Sequence, residues 1–149
     1  CRDAVGVGVD ISTEALKIAK ENGQNLKITD RVEWRQGDYL KAFDEEDIFD
    51  GIFSNPPYIP TKDIGGLSRE VKHEPRLALD GGTDGLYFYH LLAKGAAEHL
   101  KPGGFLAVEF GIGQATDILE MFRKSAQYED FEVIKDYGGI ERALYCRKK

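Results

Sequence analysis

Four consecutive residues, Asn55-Pro56-Pro57-Tyr58, combine side chains and backbone that could do chemistry. Asn55 and Pro56 each precede a proline, which drives both toward extended backbone, while the two prolines fix their own φ and carry no N–H. The chain around Asn55 and Pro56 therefore offers mainly acceptors, namely backbone carbonyls and the Asn55 amide oxygen, beside the aromatic face of Tyr58. Such a corner suits a flat group with two N–H donors: a glutamine side-chain amide, the N6 of adenine or the N4 of cytosine. A proline-rich turn leaving a strand is the plainer alternative. The position of the four residues, at the end of the apolar run 48–53, favours a site, because a proline pair cannot continue a central ladder.

The elements that must position this corner follow from patterning. Residues 48–53 read as a strand covered on both faces. Residues 4–10 form a short valine-rich strand ending in Asp10, with Ser12 as N-cap and Glu14 in the first turn of a helix. Ala15, Leu16, Ala19 and Leu26 lie on that helix's apolar face, and Gly23 is its weak point. Residues 32–36 alternate as a strand, and Gly37-Asp38-Tyr39 turns out of it. Residues 61–82 have no clean period and read as a long functional loop or lid, within which Glu74 and Arg76 form a loop-shaping charge pair. Leu86, Tyr89, Leu92, Ala93, Ala96 and Leu100 repeat at helical spacing until Lys101-Pro102-Gly103-Gly104 stops the helix. A strand over 105–110 follows, then a helix over 114–127 and two strands, 131–135 and 142–147. The short Tyr137-Gly138-Gly139 joint makes these last two an antiparallel hairpin at one end of the sheet.

Strands alternating with helices give a mostly parallel α/β sheet, whose ligands bind at the carboxyl ends of the strands. Asp10, Asp38 and Asn55 would then share a rim, where one carboxylate could accept from two ribose hydroxyls and another from an adenine amine. Each alone has an ordinary reading, as a helix support or a turn residue.

Composition bounds the rest. The 149 residues, 42% hydrophobic, suffice for one core, and a formal net charge of -6 disfavours a surface built to grip phosphate backbones. The two cysteines, Cys1 and Cys146, have neither disulfide-framework nor zinc spacing, which suggests a reducing, cytoplasmic setting. No membrane-length apolar run or signal-peptide pattern is present. His73, His90 and His99 belong to no recognisable constellation and read as solvated or helix-surface residues.

The tetrapeptide and the segment His73-Glu74-Pro75-Arg76-Leu77-Ala78-Leu79-Asp80-Gly81-Gly82-Thr83-Asp84-Gly85-Leu86-Tyr87-Phe88-Tyr89 together resemble the release-factor glutamine methyltransferases of the HemK type. The resemblance extends through Lys135-Asp136-Tyr137-Gly138-Gly139 to the final strand. It implies a Rossmann-like methyltransferase sheet using S-adenosyl-L-methionine, and as partner a peptide chain release factor methylated on the glutamine of a Gly-Gly-Gln loop. It also implies that Asp10 holds the donor's ribose, that Asp38, Tyr39 and Asn55 complete the donor site, and that Asn55 and the Pro56 carbonyl hold the glutamine NH2. Pro57 shapes the mouth and Tyr58 packs on the amide plane. The family's glycine-rich donor loop, its preceding strand and its amino-terminal helical domain have no counterpart here. The expectation is therefore one catalytic domain over 1–149, amino-terminally incomplete, binding the donor weakly or not at all by itself. The rivals are an adenine-N6 nucleic-acid methyltransferase and a non-catalytic domain that binds a protein through its long loop.

Overall fold

The valine-rich opening run forms β1 (Gly6–Asp10), and Ser12 caps the following helix, α1 (Thr13–Asn25). The Ser12 hydroxyl accepts the Ala15 N–H at 3.1 Å and donates to the Glu14 carboxylate at 3.0 Å. A cap of this kind contributes about 1 kcal/mol to a helix. The computed structural model describes residues 3–69 and 71–149, so Cys1 lies outside the description.

Helix α1 returns the chain to β2 (Val32–Gln36), which runs parallel to β1 with Gly6 opposite Val32 and Asp10 opposite Gln36. Gly8 lies opposite Trp34, and a Cβ there would come within 2.5 Å of the indole ring. A Cβ on Gly23 of α1 would meet the same ring at 3.5 Å. The helix glycine expected to weaken α1 thus faces the indole, at a distance where a Cβ would make ordinary van der Waals contact. Leu26, expected on the buried face, is 69% exposed, because α1 ends at Asn25 and Leu26 is its C-cap residue.

These elements belong to a compact unit that extends through Glu45, and a second unit runs from Glu46 to Lys149. The second contains β3 (Phe49–Ser54), a short helix α2 (Arg76–Leu79), α3 (Tyr87–Gly95), β4 (Leu100–Glu109), α4 (Ala115–Lys124), β5 (Tyr128–Lys135) and β6 (Glu141–Lys148). Strand order is β3-β4-β6-β5, with β3 and β4 parallel and β6 antiparallel to both of its neighbours. Parallel strands need a crossover, and α3 lies within the one that joins β3 to β4. The closing hairpin turns on Asp136, whose carboxylate accepts the Gly138 and Ile140 N–H groups at 2.8 and 3.0 Å.

Register places Ile52, Leu106 and Cys146 in one row and Val108 and Leu144 in the next, all buried. Tyr89 and Leu92 of α3 and Ile118 and Phe122 of α4 are equally buried. Two phenols stitch helix to sheet: Tyr89 donates to the Glu109 carbonyl at 2.8 Å and Tyr128 to the Leu92 carbonyl at 3.2 Å. Burial pushes the Cys146 thiol up to about 12, so at neutral pH it is a protonated, apolar filler.

Three sequence expectations change here. Leu100 is not in the helix: α3 ends at Gly95, a 3-10 turn follows over Ala96–His99, and Leu100 opens β4 opposite Phe49. Its apolar spacing fits either element because both bury the same side of the chain. Lys101-Pro102-Gly103-Gly104 then interrupts the β3–β4 register instead of stopping a helix. Strand β3 is not covered on both faces either, since Phe53, alternating with buried Ile52, is 77% exposed. Its ring meets Phe105 edge-on at 5.2 Å, and Phe105 stacks on Tyr145 at 5.7 Å. Finally, His99, expected as a solvated or helix-surface residue, is half-buried on the 3-10 turn, with its Nδ1 3.1 Å from the Asp47 carbonyl. No helix among the described residues is long and apolar enough to cross a membrane.

Candidate active site

Strand β3 ends at Ser54, and the next four residues make a corner in the second unit. Asn55 is exposed, Pro56 is buried, and Pro57 and Tyr58 are half-buried. The Asn55 side chain makes no hydrogen bond among the described residues, so its amide oxygen and nitrogen both remain open to a ligand. The corner is anchored immediately downstream. The Ile59 N–H donates to the Leu79 carbonyl at 3.0 Å, the Gly81 N–H to the Ile59 carbonyl at 2.9 Å, and the Thr61 N–H to the Gly82 carbonyl at 2.9 Å.

Those bonds, with a parallel bridge between Ile59 and Asp80, close residues 61–82 at the neck. The segment expected as a free loop or lid is therefore tied at its base and holds short helical pieces, including 3-10 turns at Thr61–Gly66 and Val71–His73 and helix α2. Pieces this short leave no period in the sequence. Asp80 fastens the neck: its carboxylate accepts the Thr61 hydroxyl at 2.6 Å, the Gly82 N–H at 3.1 Å and the Arg76 guanidinium at 3.2 Å. Arg76 thus pairs with Asp80 one helical turn on, not with Glu74.

The Thr61 hydroxyl first, then the Gly82 N–H and Arg76, hold the Asp80 carboxyl below its ordinary value of 3.8. A depressed folded value contributes stability that is complete above the unfolded value and is lost as pH falls through the folded one. Protection of the Gly82 and Thr61 amides from exchange, relative to their intrinsic rates, should therefore fall as the pH drops below about 3.8, and Asp80→Asn should flatten that dependence. An unchanged acid profile in the variant would exclude Asp80 as the group responsible.

Glycines let the neighbouring loops touch the corner. A Cβ on Gly81 would come within 2.8 Å of the Pro57 carbonyl and 2.9 Å of the Tyr58 Cα. At Gly85, φ is +79°, and a Cβ would come within 2.4 Å of the Tyr58 carbonyl. A Cβ on Gly111, just past β4, would meet the Tyr58 ring at 3.0 Å. Gln114 joins these pieces. Its Nε2 donates to the Tyr58 carbonyl at 3.0 Å and to the Gly85 carbonyl at 3.3 Å, and its Oε1 accepts the Gly111 N–H at 2.8 Å. Sequence reasoning missed Gln114, Asp80 and Gly111. A signal was available for the first, since glutamine occupies the N-cap position of α4, where a short oxygen-bearing side chain is usual, and makes no capping bond.

The first unit gathers Asp10, Asp38 and Tyr39 at the carboxyl ends of its two strands. Asp10 ends β1 opposite Gln36, and the Gly37 N–H donates to the Asp10 carbonyl at 3.1 Å, bringing the turn of Asp38 and Tyr39 to the same rim. One Asp10 carboxylate oxygen accepts the Ser12 N–H at 2.8 Å, and the other has no partner among the described residues. Asp38 is paired with Lys41 at 2.5 Å. Tyr39 takes a left-handed φ of +59° as it opens a 3-10 turn. An exposed carboxylate with an open oxygen at a strand end has the right chemistry for a pair of ribose hydroxyls.

The chain has a Rossmann-like methyltransferase fold. It is similar to the crystal structure of a methyltransferase from Pyrococcus furiosus, with a TM-score of 0.68 and 24% identity over 95% of this chain and 61% of that one. A family model described as RMKL-like, methyltransferase domain matches residues 2–63. In sequence it is 46% identical over 146 residues to the release factor glutamine methyltransferase of Bradyrhizobium diazoefficiens, covering 97% of this chain and 48% of that protein. It is also 42% identical over 140 residues to the enzyme of the same name from Moorella thermoacetica, covering 94% and 49%. The chain is thus similar in sequence, over nearly its whole length, to proteins named release factor glutamine methyltransferase. It spans about half the length of the curated relatives it matches.

Proposed function

We propose that this chain serves S-adenosylmethionine-dependent methylation of the side-chain amide nitrogen of glutamine, in the Gly-Gly-Gln loop of a peptide chain release factor in the cytoplasm. The observation that carries the reading is the exposed, unpartnered Asn55 amide at the end of a parallel strand, beside a buried Pro56. The names of the relatives point to the same reaction.

In this reading Asn55 Oδ1 and the Pro56 carbonyl accept the two N–H bonds of the substrate amide. Pro57 and the neck at Ile59 keep those acceptors from relaxing, and the half-buried Tyr58 ring offers a face for the amide plane. An amide nitrogen is a poor nucleophile because its lone pair is delocalised into the carbonyl. Two fixed acceptors orient that nitrogen and stabilise the positive charge that grows on it. Bound S-adenosylmethionine supplies a methyl group on a positively charged sulfur. The Asp10 carboxylate holds the donor's ribose, with Asp38 and Tyr39 on the adenine side. No prior deprotonation is needed, because the nitrogen becomes acidic as it is alkylated and sheds its proton afterwards.

The test offers the chain a labelled methyl donor together with a release factor or, separately, DNA. Label on the Gly-Gly-Gln glutamine is the expected result. Label in DNA alone would assign the corner to a flipped base, and label in neither would overturn the reading.

A further inference from the structure

We propose that Gln114 is the positioning residue of the acceptor corner, its side-chain amide fixing the backbone of Tyr58 and hence the direction of the Asn55 and Pro56 acceptors. The functional half of this inference rests on the reading of that corner as the glutamine-binding site. Three loops that leave different elements converge on one carboxamide: the segment after β3 through the Tyr58 carbonyl, the loop before α3 through the Gly85 carbonyl, and the segment after β4 through the Gly111 N–H.

The pattern of two carbonyls and one N–H is matched by a carboxamide, which has two donor hydrogens on nitrogen and acceptor capacity on oxygen. Glutamate would keep the acceptor for Gly111 but set a carboxylate against two carbonyl oxygens, and asparagine is a methylene too short to span the same points. Space for the arrangement exists because Gly85 and Gly111 lack side chains: a Cβ on the former would come within 2.8 Å of Gln114 Nε2, and one on the latter within 3.0 Å of Oε1. Among the described residues, the hydrogen bond of Gln114 to the corner goes to the Tyr58 carbonyl, so the residue acts on the substrate through the backbone it holds.

The test pairs Gln114→Glu, which changes charge and donor but not shape, with Gly85→Ala, which wedges the clamp from the other side. Two readouts are taken: methyl transfer to a glutamine-bearing Gly-Gly-Gln peptide, and amide exchange at Ile59 and Gly81 with Leu106 and Val108 as core controls. A misplacement near 1 Å can cost about 100-fold in rate. We therefore expect kcat to fall about 10–100-fold in both variants with KM for the peptide changed less than about threefold. Exchange at Ile59 and Gly81 should rise at least about tenfold while the core controls stay put. Unchanged kcat, or unchanged exchange at Ile59 and Gly81, overturns the assignment. Acceleration that includes Leu106 and Val108 makes Gln114 a general structural residue and also overturns it. If the parent chain methylates no glutamine, the reading of the corner fails and exchange alone decides the clamp: local acceleration upholds it and no change removes it.

Discussion

Replacing Asn55 with alanine is expected to lower methyl transfer to glutamine by at least about 100-fold while moving stability by less than about 0.5 kcal/mol. The two halves of this expectation have separate causes. Asn55 is exposed and bonds to nothing among the described residues, so the fold loses little when its amide is removed. On the proposed reading of the corner, the transition state would lose one of two fixed dipoles aimed at a nitrogen that is gaining positive charge. Removing one preorganised group of this kind typically costs about 2.7–4 kcal/mol of barrier. Asn55→Asp separates orientation from charge, because it keeps the shape and an acceptor oxygen but gives up the neutral amide. Single-turnover transfer, measured with donor and peptide both saturating, checks the claim. A rate for the alanine variant within threefold of the parent would remove Asn55 from the chemistry.

The largest effect on stability is expected from Phe122→Ala, at about 3–5 kcal/mol. Phe122 is completely buried on α4, and its ring meets that of Tyr128 at 5.4 Å. Alanine there gives up the transfer free energy of the ring and leaves a cavity that a helix tied to β5 and β6 cannot collapse. Natural domains hold only about 5–15 kcal/mol in total, so the variant should unfold at a much lower urea concentration. The slope of the transition should be unchanged, since the surface exposed on unfolding is nearly the same. A loss below about 1 kcal/mol would mean that the site refills and that α4 does not seat as described.

The two predictions draw on different depths of information. The Asn55 corner could be read in the sequence because its properties are local: prolines restrict their own φ and that of the residue before them wherever they occur. The Ser12 cap and the alternation of strands with helices were legible for the same reason, and the structure contains both, with the helix-to-strand boundary near Leu100 displaced. The aromatic Phe53 misled because a run of apolar residues cannot say which of its two alternating faces is covered. Leu100 misled because a helix end and a strand start can share one apolar spacing.

By itself, then, the amino-acid order determined the chemistry a four-residue corner can offer, the α/β class and the family resemblance. Tertiary structure alone decided that β6 enters between β4 and β5, that Asp80 rather than Glu74 holds Arg76, and that Gln114 grips Tyr58 from 56 positions away. The physical reason is range. Backbone restriction and capping act within a few residues, whereas a donor and an acceptor so far apart in the chain meet only after the packing of β3, β4 and α4 has brought them to hydrogen-bonding distance.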